Sequence, residues 1–562
     1  CTDTGHMPTT FAPRCPSSLQ SLIRTLIARC GGASQHTLGT GARGIEPQHL
    51  EPLDGRTMLA ADLAVTMVDN VPSFVVPGDK LTFAATVSNQ GDAAAKGRVT
   101  VRFLAPSLNS EDPTGVVATV TRNINLRPGQ TTVLTAKWTA TGNASAGVHD
   151  YGVTLEAAEA INEFTENDSS IIEGGFDLKY LFGSYGNRRN VTFVTNDSDG
   201  TIISYSIKGA GYGEFRSAEA EDEVAGLDLI GTGSGDQFVI ALKGGDRIAN
   251  LDNAINIAGS LRKFDAKGVN FSGRITAGGT IGDFHAGNLT DLDFEILGAG
   301  GAMKFKAGAV ANLRLTSATP IASLDVTSWQ WLADETRPDL RENELSTLTA
   351  PWISKLTTRG EFSAITSLSG AGATGTTLGQ AKISGVFSGQ MAVAGNIGSF
   401  AATVMDQGLL LCSGTIAAAN IALAIDGSIW CNSLLKFEAG TIQMLDVAAG
   451  VTFDASSLEG LADGNTQLLN WNGGNIGSVT VKGNVSTARF AAGIDPVNGA
   501  LLDEDDINAG LGTIGKIDLK GAAVDVLFAA SNFLPKAKIA GATVLTAADE
   551  RFVWLEISSA GV

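Results

Sequence analysis

A short unit of the form apolar-x-apolar, usually followed by glycine, recurs along the second half of this 562-residue chain. It stands at Phe264-Asp265-Ala266, Phe284-His285-Ala286, Phe305-Lys306-Ala307 and Leu324-Asp325-Val326, with first positions 20, 21 and 19 residues apart. The unit returns at Phe400-Ala401-Ala402, Phe437-Glu438-Ala439, Leu445-Asp446-Val447, Val479-Thr480-Val481 and Ile517-Asp518-Leu519. Ile-Gly precedes four of them, at Ile281-Gly282, Ile397-Gly398, Ile476-Gly477 and Ile514-Gly515. Strand side chains alternate, so the outer two residues of a unit face one way and the mostly charged or polar centre faces the other. One strand register every 20 residues or so, closed by a glycine turn where positive φ is cheap, buries its inner face only by stacking on its neighbours. The expected fold is all-β, with a right-handed parallel β-helix (β-solenoid) over residues 230–531.

Trp329 to Trp352 breaks the period with charges and tryptophans and reads as a lateral insertion. Its Trp329, Trp331 and Trp352 make a candidate binding loop, since aromatic pairs stack on sugar rings; a tryptophan plug packed on the solenoid competes with that reading. Gly408 to Ile425 is an 18-residue charge-free run, just long enough to nominate a membrane span. Its Ser413, Thr415, Asn420 and two glycines fit buried coils better, so no span is expected. The pattern fades past Ser531, and residues 532–562 read as a cap on the open end.

Charge and chemistry narrow the function. The net charge of −19 argues against nucleic acid or an anionic membrane as partner, because both demand a basic face. Three of five His and three of five Cys fall within the first 50 residues, which leaves little for a zinc site or an imidazole-activated nucleophile downstream. No cofactor is expected, and calcium is the natural metal for so acidic a chain. Its candidate ligands are Asp503, Glu504, Asp505 and Asp506, or Glu163, Glu166 and Asp168; solvated acidic loops are the competing reading. Cys412 and Cys431 lie 19 residues apart, one coil, and so within disulfide reach or simply as buried thiols.

Upstream, Leu81-x-Phe83-x-Ala85-x-Val87 alternates as a half-buried strand, and similar runs follow at Val99 to Leu104 and Thr131 to Lys137. Turn signals at Pro77-Gly78-Asp79, Asn89-Gln90-Gly91 and Arg127-Pro128-Gly129 give sandwich spacing, so residues 62–170 read as an immunoglobulin-like β-sandwich. Residues 171–229 are a transition segment and amino-terminal cap of the solenoid, and residues 1–61 an export or leader segment.

The residues of this half carry resemblances. Asp62 to Thr66, Val76 to Ala95, Leu126 to Trp138 and Ile161 to Ser170 together resemble the CARDB family, adhesion-related sandwiches of bacterial surface proteins. His49 to Leu63 is similar to the LEPR-XLL-type motif of secreted planctomycete proteins, matching at Leu50, Glu51, Pro52, Arg56, Leu59 and Ala60. The array resembles the Gly-rich repeats of the same surface proteins. These resemblances imply an extracellular or cell-surface location and contact rather than catalysis, with a cell-surface protein or a polysaccharide as partner.

The expected function is therefore a non-enzymatic structural or adhesion protein, with the sandwich as contact module and the solenoid as rigid spacer. The rival is a β-helix polysaccharide lyase or hydrolase, for which the row Asp291, Asp293, Glu295 with Arg314 is the candidate site. A glycan-binding module using the tryptophans is a third reading.

Overall fold

The computed structural model describes residues 60–105, 115–140, 147–157, 167–216, 226–332, 346–463, 465–497, 500–548 and 553–557. Their regular secondary structure is almost entirely strand, in two compact units that divide after Lys179.

In the first unit, Leu63–Val68, Lys80–Asn89 and Thr131–Thr139 form one antiparallel sheet. Phe74–Val75, Ser169–Leu178, Gly147–Ala157, Ala95–Leu104 and Val116–Leu126 form the other. The alternation read at Leu81, Phe83, Ala85 and Val87 is real: all four are buried. Phe83 packs against Phe103, Trp138 and Tyr151 at ring-centroid distances of 6.1, 5.7 and 5.6 Å. The Tyr151 hydroxyl donates to Asp69 Oδ1 at 3.0 Å, and burial, helped by that carboxylate, pushes the phenol up to about 12. The sandwich runs further than its turn signals indicate. Ser169–Leu178 pairs with Gly147–Ala157 and with Phe74–Val75, so the sheet continues past residue 170. A strand that closes a sheet by long-range pairing leaves no local mark where the sequence reading ends it.

The second unit is a stack of parallel strands in register. Phe238, Phe264, Phe284, Phe305, Leu324 and Leu356 sit directly above one another in successive strands, all fully buried or nearly so. Leu227, Ile255, Ile275, Phe294, Leu315 and Leu348 form a second such column. Ring centroids are 5.0 Å apart for Phe264–Phe284 and Phe284–Phe305, and 4.8 Å for Phe284–Phe294, so the two columns interlock. The strand Ile397–Leu434 has 38 residues and would extend about 125 Å if straight. Its early part pairs with Leu378–Phe387 and its later part with Phe437–Ala449, so it bends from one ladder into the next.

The glycines have a different reason from the one the pattern suggested. Few of those around the units have positive φ. A Cβ on Gly282 would instead meet the Arg262 carbonyl oxygen at 2.8 Å, and one on Gly515 the Gly477 oxygen at 2.5 Å. The Ile-Gly dipeptides mark where the backbone of one coil lies too close to the coil before it for any side chain.

Both ends of the stack turn antiparallel. Ile202–Lys208 pairs with Gln237–Lys243 at one end, and Val553–Ile557 with Val526–Ala530 at the other. Parallel stacking also continues beyond 531: Ala537–Ile539 lies on Ile517–Leu519, and only then does the chain reverse into Ala542–Val544. Ala537-Lys538-Ile539 is itself an apolar-x-apolar unit that the sequence reading passed over.

A second core lies on the outer face. Leu411, Trp430, Ala448, Ala491 and Ala529 point outward yet are buried, covered by an excursion that includes Val451, the short helix Leu458–Ala462 and Leu469. This explains the charge-free run at Gly408 to Ile425, which lies in a strand whose two faces are both partly covered. Among the described residues no helix is long and apolar enough to cross a membrane.

Phe284→Ala removes the ring shared by both inner columns and is expected to destabilise the array by about 3–5 kcal/mol. Phe533→Ala, at an exposed position, should stay within about 0.5 kcal/mol. Urea unfolding of the two variants checks this; equal shifts would contradict the stacked core.

Candidate functional site

The acid row stands along one strand, Leu289–Ile296, with Arg314 on the strand of the next coil. Asp293 lies directly opposite Arg314 in the next coil, and Arg314 donates to it from both Nε and Nη2, the latter at 2.6 Å to Oδ2. Arg274, one coil the other way, donates through Nη2 to Glu295 Oε2 at 3.2 Å. Asp291 and Asn312 both occupy the left-handed region, at φ +49° and +51°, and stack as a repeated corner where the Asn312 amide donates to Asp291 Oδ1 at 2.9 Å. Asp and Asn tolerate this conformation because their short side chains bond locally. The Asn312 amide oxygen in turn accepts from the Leu332 N–H at 2.8 Å.

An open groove of about 340 Å³ runs beside these residues, lined by Arg274, Asp293, Phe294, Glu295, Arg314, Thr316 and Thr347. The structure thus brings three of the four sequence candidates, Asp293, Glu295 and Arg314, to one groove and leaves Asp291 at the corner with Asn312, and it gives each acid a donor from a neighbouring coil. The Asp293–Arg314 pair is 44% and 38% exposed, so it contributes no more than about 1 kcal/mol. Its value lies in placing an arginine, and not another acid, opposite Asp293 in the neighbouring coil.

A second outward column repeats the pattern. Asp265, His285 and Lys306 stand above one another, followed by Asp325. Lys263 Nζ lies 2.8 Å from Asp265 Oδ2, and Arg359 Nη2 lies 3.0 Å from Asp325 Oδ1. Burial, then the charge of Lys267, lowers the His285 pKa.

The carboxyl-terminal acidic loop gathers three of its four candidates. Asp503, Asp505 and Asp506 each place a carboxylate oxygen within 4.8 Å of the others, whereas Glu504 is exposed and outside the group. Burial, with the neighbouring charges of Asp503 and Asp505 added, pushes Asp506 up to about 7, against the opposing hydrogen bond from the Leu502 N–H. Glu163 and Glu166, the other calcium candidates, lie outside the described residues; Asp168 is described, and its carbonyl accepts from the Leu155 N–H at 2.8 Å.

The tryptophan loop needs correction. Trp329 is fully buried in the strand Ser328–Gln330, in an edge-on contact with Phe362 and donating from Nε1 to Ser346 Oγ at 3.1 Å. It is an inner position of the array, not a ligand platform. Trp331 and Trp352 are half-buried, and residues 333–345 between them lie outside the described residues.

Residues 60–171 match the CARDB family, and a CARDB domain is present in the chain. Two solved structures are similar to it, both of the CARDB domain of one Pyrococcus furiosus protein. The crystal structure, in complex with di-metal ions, is 19% identical and covers 22% of this chain and 96% of that chain, with a TM-score of 0.17. The solution NMR structure is 20% identical over 22% and 97%, also with a TM-score of 0.17. No curated protein matches the chain.

Cys412 and Cys431 are free thiols and form no disulfide. Cys412 Sγ donates to the Gly395 carbonyl at 3.0 Å and Cys431 Sγ to that of Ala448 at 3.7 Å, so each sulfur is aimed at backbone, not at the other. Burial pushes Cys412 up to about 12 and raises Cys431 well above the ordinary thiol value, which suppresses the reactive thiolate. Both are expected to resist iodoacetamide in the native full chain at mildly alkaline pH and to react only in denaturant. Peptide mapping reads this directly, and native labelling of either would contradict the burial.

Proposed function

We propose that the chain is a non-enzymatic adhesion protein of the cell exterior, with the CARDB sandwich as contact module and the repeat array as rigid spacer. The observation that carries this reading is the CARDB domain at residues 60–171, which suggests a non-enzymatic, adhesion-related module in general. A cell-surface protein or a polysaccharide is the proposed partner. The array is read as a right-handed parallel β-helix, the hand that connections between parallel strands almost always take. Stacking in which every coil contacts only its neighbours suits a spacer.

The outer acids support the same reading. Asp293 faces Arg314, Glu295 faces Arg274 and Asp291 faces Asn312, so each acid of the row completes the stack. A polysaccharide lyase or hydrolase is the second reading, favoured by the open groove in which Asp293 and Glu295 meet two arginines. A glycan-binding module would rest on Trp331 and Trp352, since Trp329 is sealed in the core.

The test is to incubate the full chain with a panel of acidic and neutral polysaccharides and measure new reducing ends and unsaturated products. None is expected above buffer, while beads coated with the chain should be retained on a cell-surface or polysaccharide coat and released by excess soluble chain. Product formation abolished by Asp293→Asn would overturn the adhesive reading and make the groove an active site.

A further inference from the structure

We propose that Asp503, Asp505 and Asp506 form a calcium site in the excursion between the array strands Val485–Ala492 and Thr513–Ile514. The proposal stands apart from the adhesive reading and holds whether or not the chain adheres to anything.

Two observations meet at this loop. The first is the convergence of the three carboxylates, one oxygen of each within 4.8 Å of the other two. The second is the state of Asp506. Its residue is 2% exposed; Oδ2 accepts from the Leu502 N–H at 2.6 Å, and Oδ1 is buried with no hydrogen-bond partner. An orphaned buried carboxylate oxygen is costly, and more so beside two further acids. A bound divalent cation removes both penalties at once.

The loop is also held in shape. Ile494 pairs with Asn508 and Asp495 with Ile507, an antiparallel clamp at its base. Leu501 is buried in the outer core beside Trp430 and Trp471, and Leu502, at φ +64°, makes the turn that aims its N–H at Asp506. The acids therefore need little ordering when a cation arrives.

The donor set selects the ion. Three carboxylates with no imidazole or thiolate make a hard, oxygen-only site, which disfavours zinc. Calcium accepts six to eight oxygens in irregular geometry, so backbone carbonyls and water can complete the shell, whereas magnesium demands a near-ideal octahedron and gives up water reluctantly.

The experiment is equilibrium dialysis of the full chain against radioactive calcium up to about 5 mM, above the roughly 10⁻⁴–10⁻³ M dissociation constants of extracellular calcium modules. The double variant Asp503→Asn, Asp505→Asn changes two residues at the loop surface, and circular dichroism would verify its fold. It should bind one calcium fewer than the parent chain, as should Asp506→Asn, while Glu504→Gln should bind as the parent does. A folded double variant with unchanged stoichiometry would overturn the proposal, as would a parent chain that binds no calcium. Complete displacement by equimolar magnesium would overturn the choice of ion.

Discussion

A strand in a parallel stack has its backbone N–H and C=O groups satisfied by the coils on either side, about 4.8 Å away. Every other feature of the array answers to that spacing. Inner side chains must fill the volume between coils in register, so Phe264, Phe284 and Phe305 fall into one column. Where the backbones of successive coils press together at the edges, only glycine fits, as Gly282 against Arg262 and Gly515 against Gly477 show. Corners that need a left-handed residue repeat at matched positions, as in Asp291 and Asn312.

The same spacing imposes a rule on the outer face. Side chains stacked at strand distance repel strongly if their charges match, so acids there alternate with arginine, lysine or neutral polar groups. Asp293 below Arg314 and Asp283 below Lys304 obey it. What resembles a row of catalytic acids in sequence is, in the stack, a set of cross-coil pairs. The acidic loop at 503–506 lies off the stack and escapes the rule, and there three carboxylates do meet.

Stacking also explains why the array needs ends and a second core. A parallel stack presents open edges, and both are closed by strands that run antiparallel to it. Along its side, the excursion carrying Leu458 and Leu461 buries outward Leu411 and Trp430, so part of the array is covered on both faces. The sandwich is stabilised otherwise, by antiparallel sheets around a cluster of Phe83, Phe103, Tyr151 and Phe176.

The sequence by itself determined the strands and their facing. Alternation gave the buried face of Lys80–Asn89, and the 20-residue spacing gave the inner columns, because both are local consequences of side chains pointing to opposite sides of a strand. It also brought the CARDB blocks into view as a spaced set. Only the tertiary structure decided what depends on long-range approach. Trp329 became core because its strand stacks on Val310, and the thiols of Cys412 and Cys431 turned to separate carbonyls. The sandwich gained Ser169–Leu178 through pairing with the preceding strand and with Phe74–Val75, distant in sequence, and Asp506 was buried while Glu504, two residues away, stayed in water. Composition and period carry no record of which backbone comes to lie against which, and that decides burial, partnership and charge.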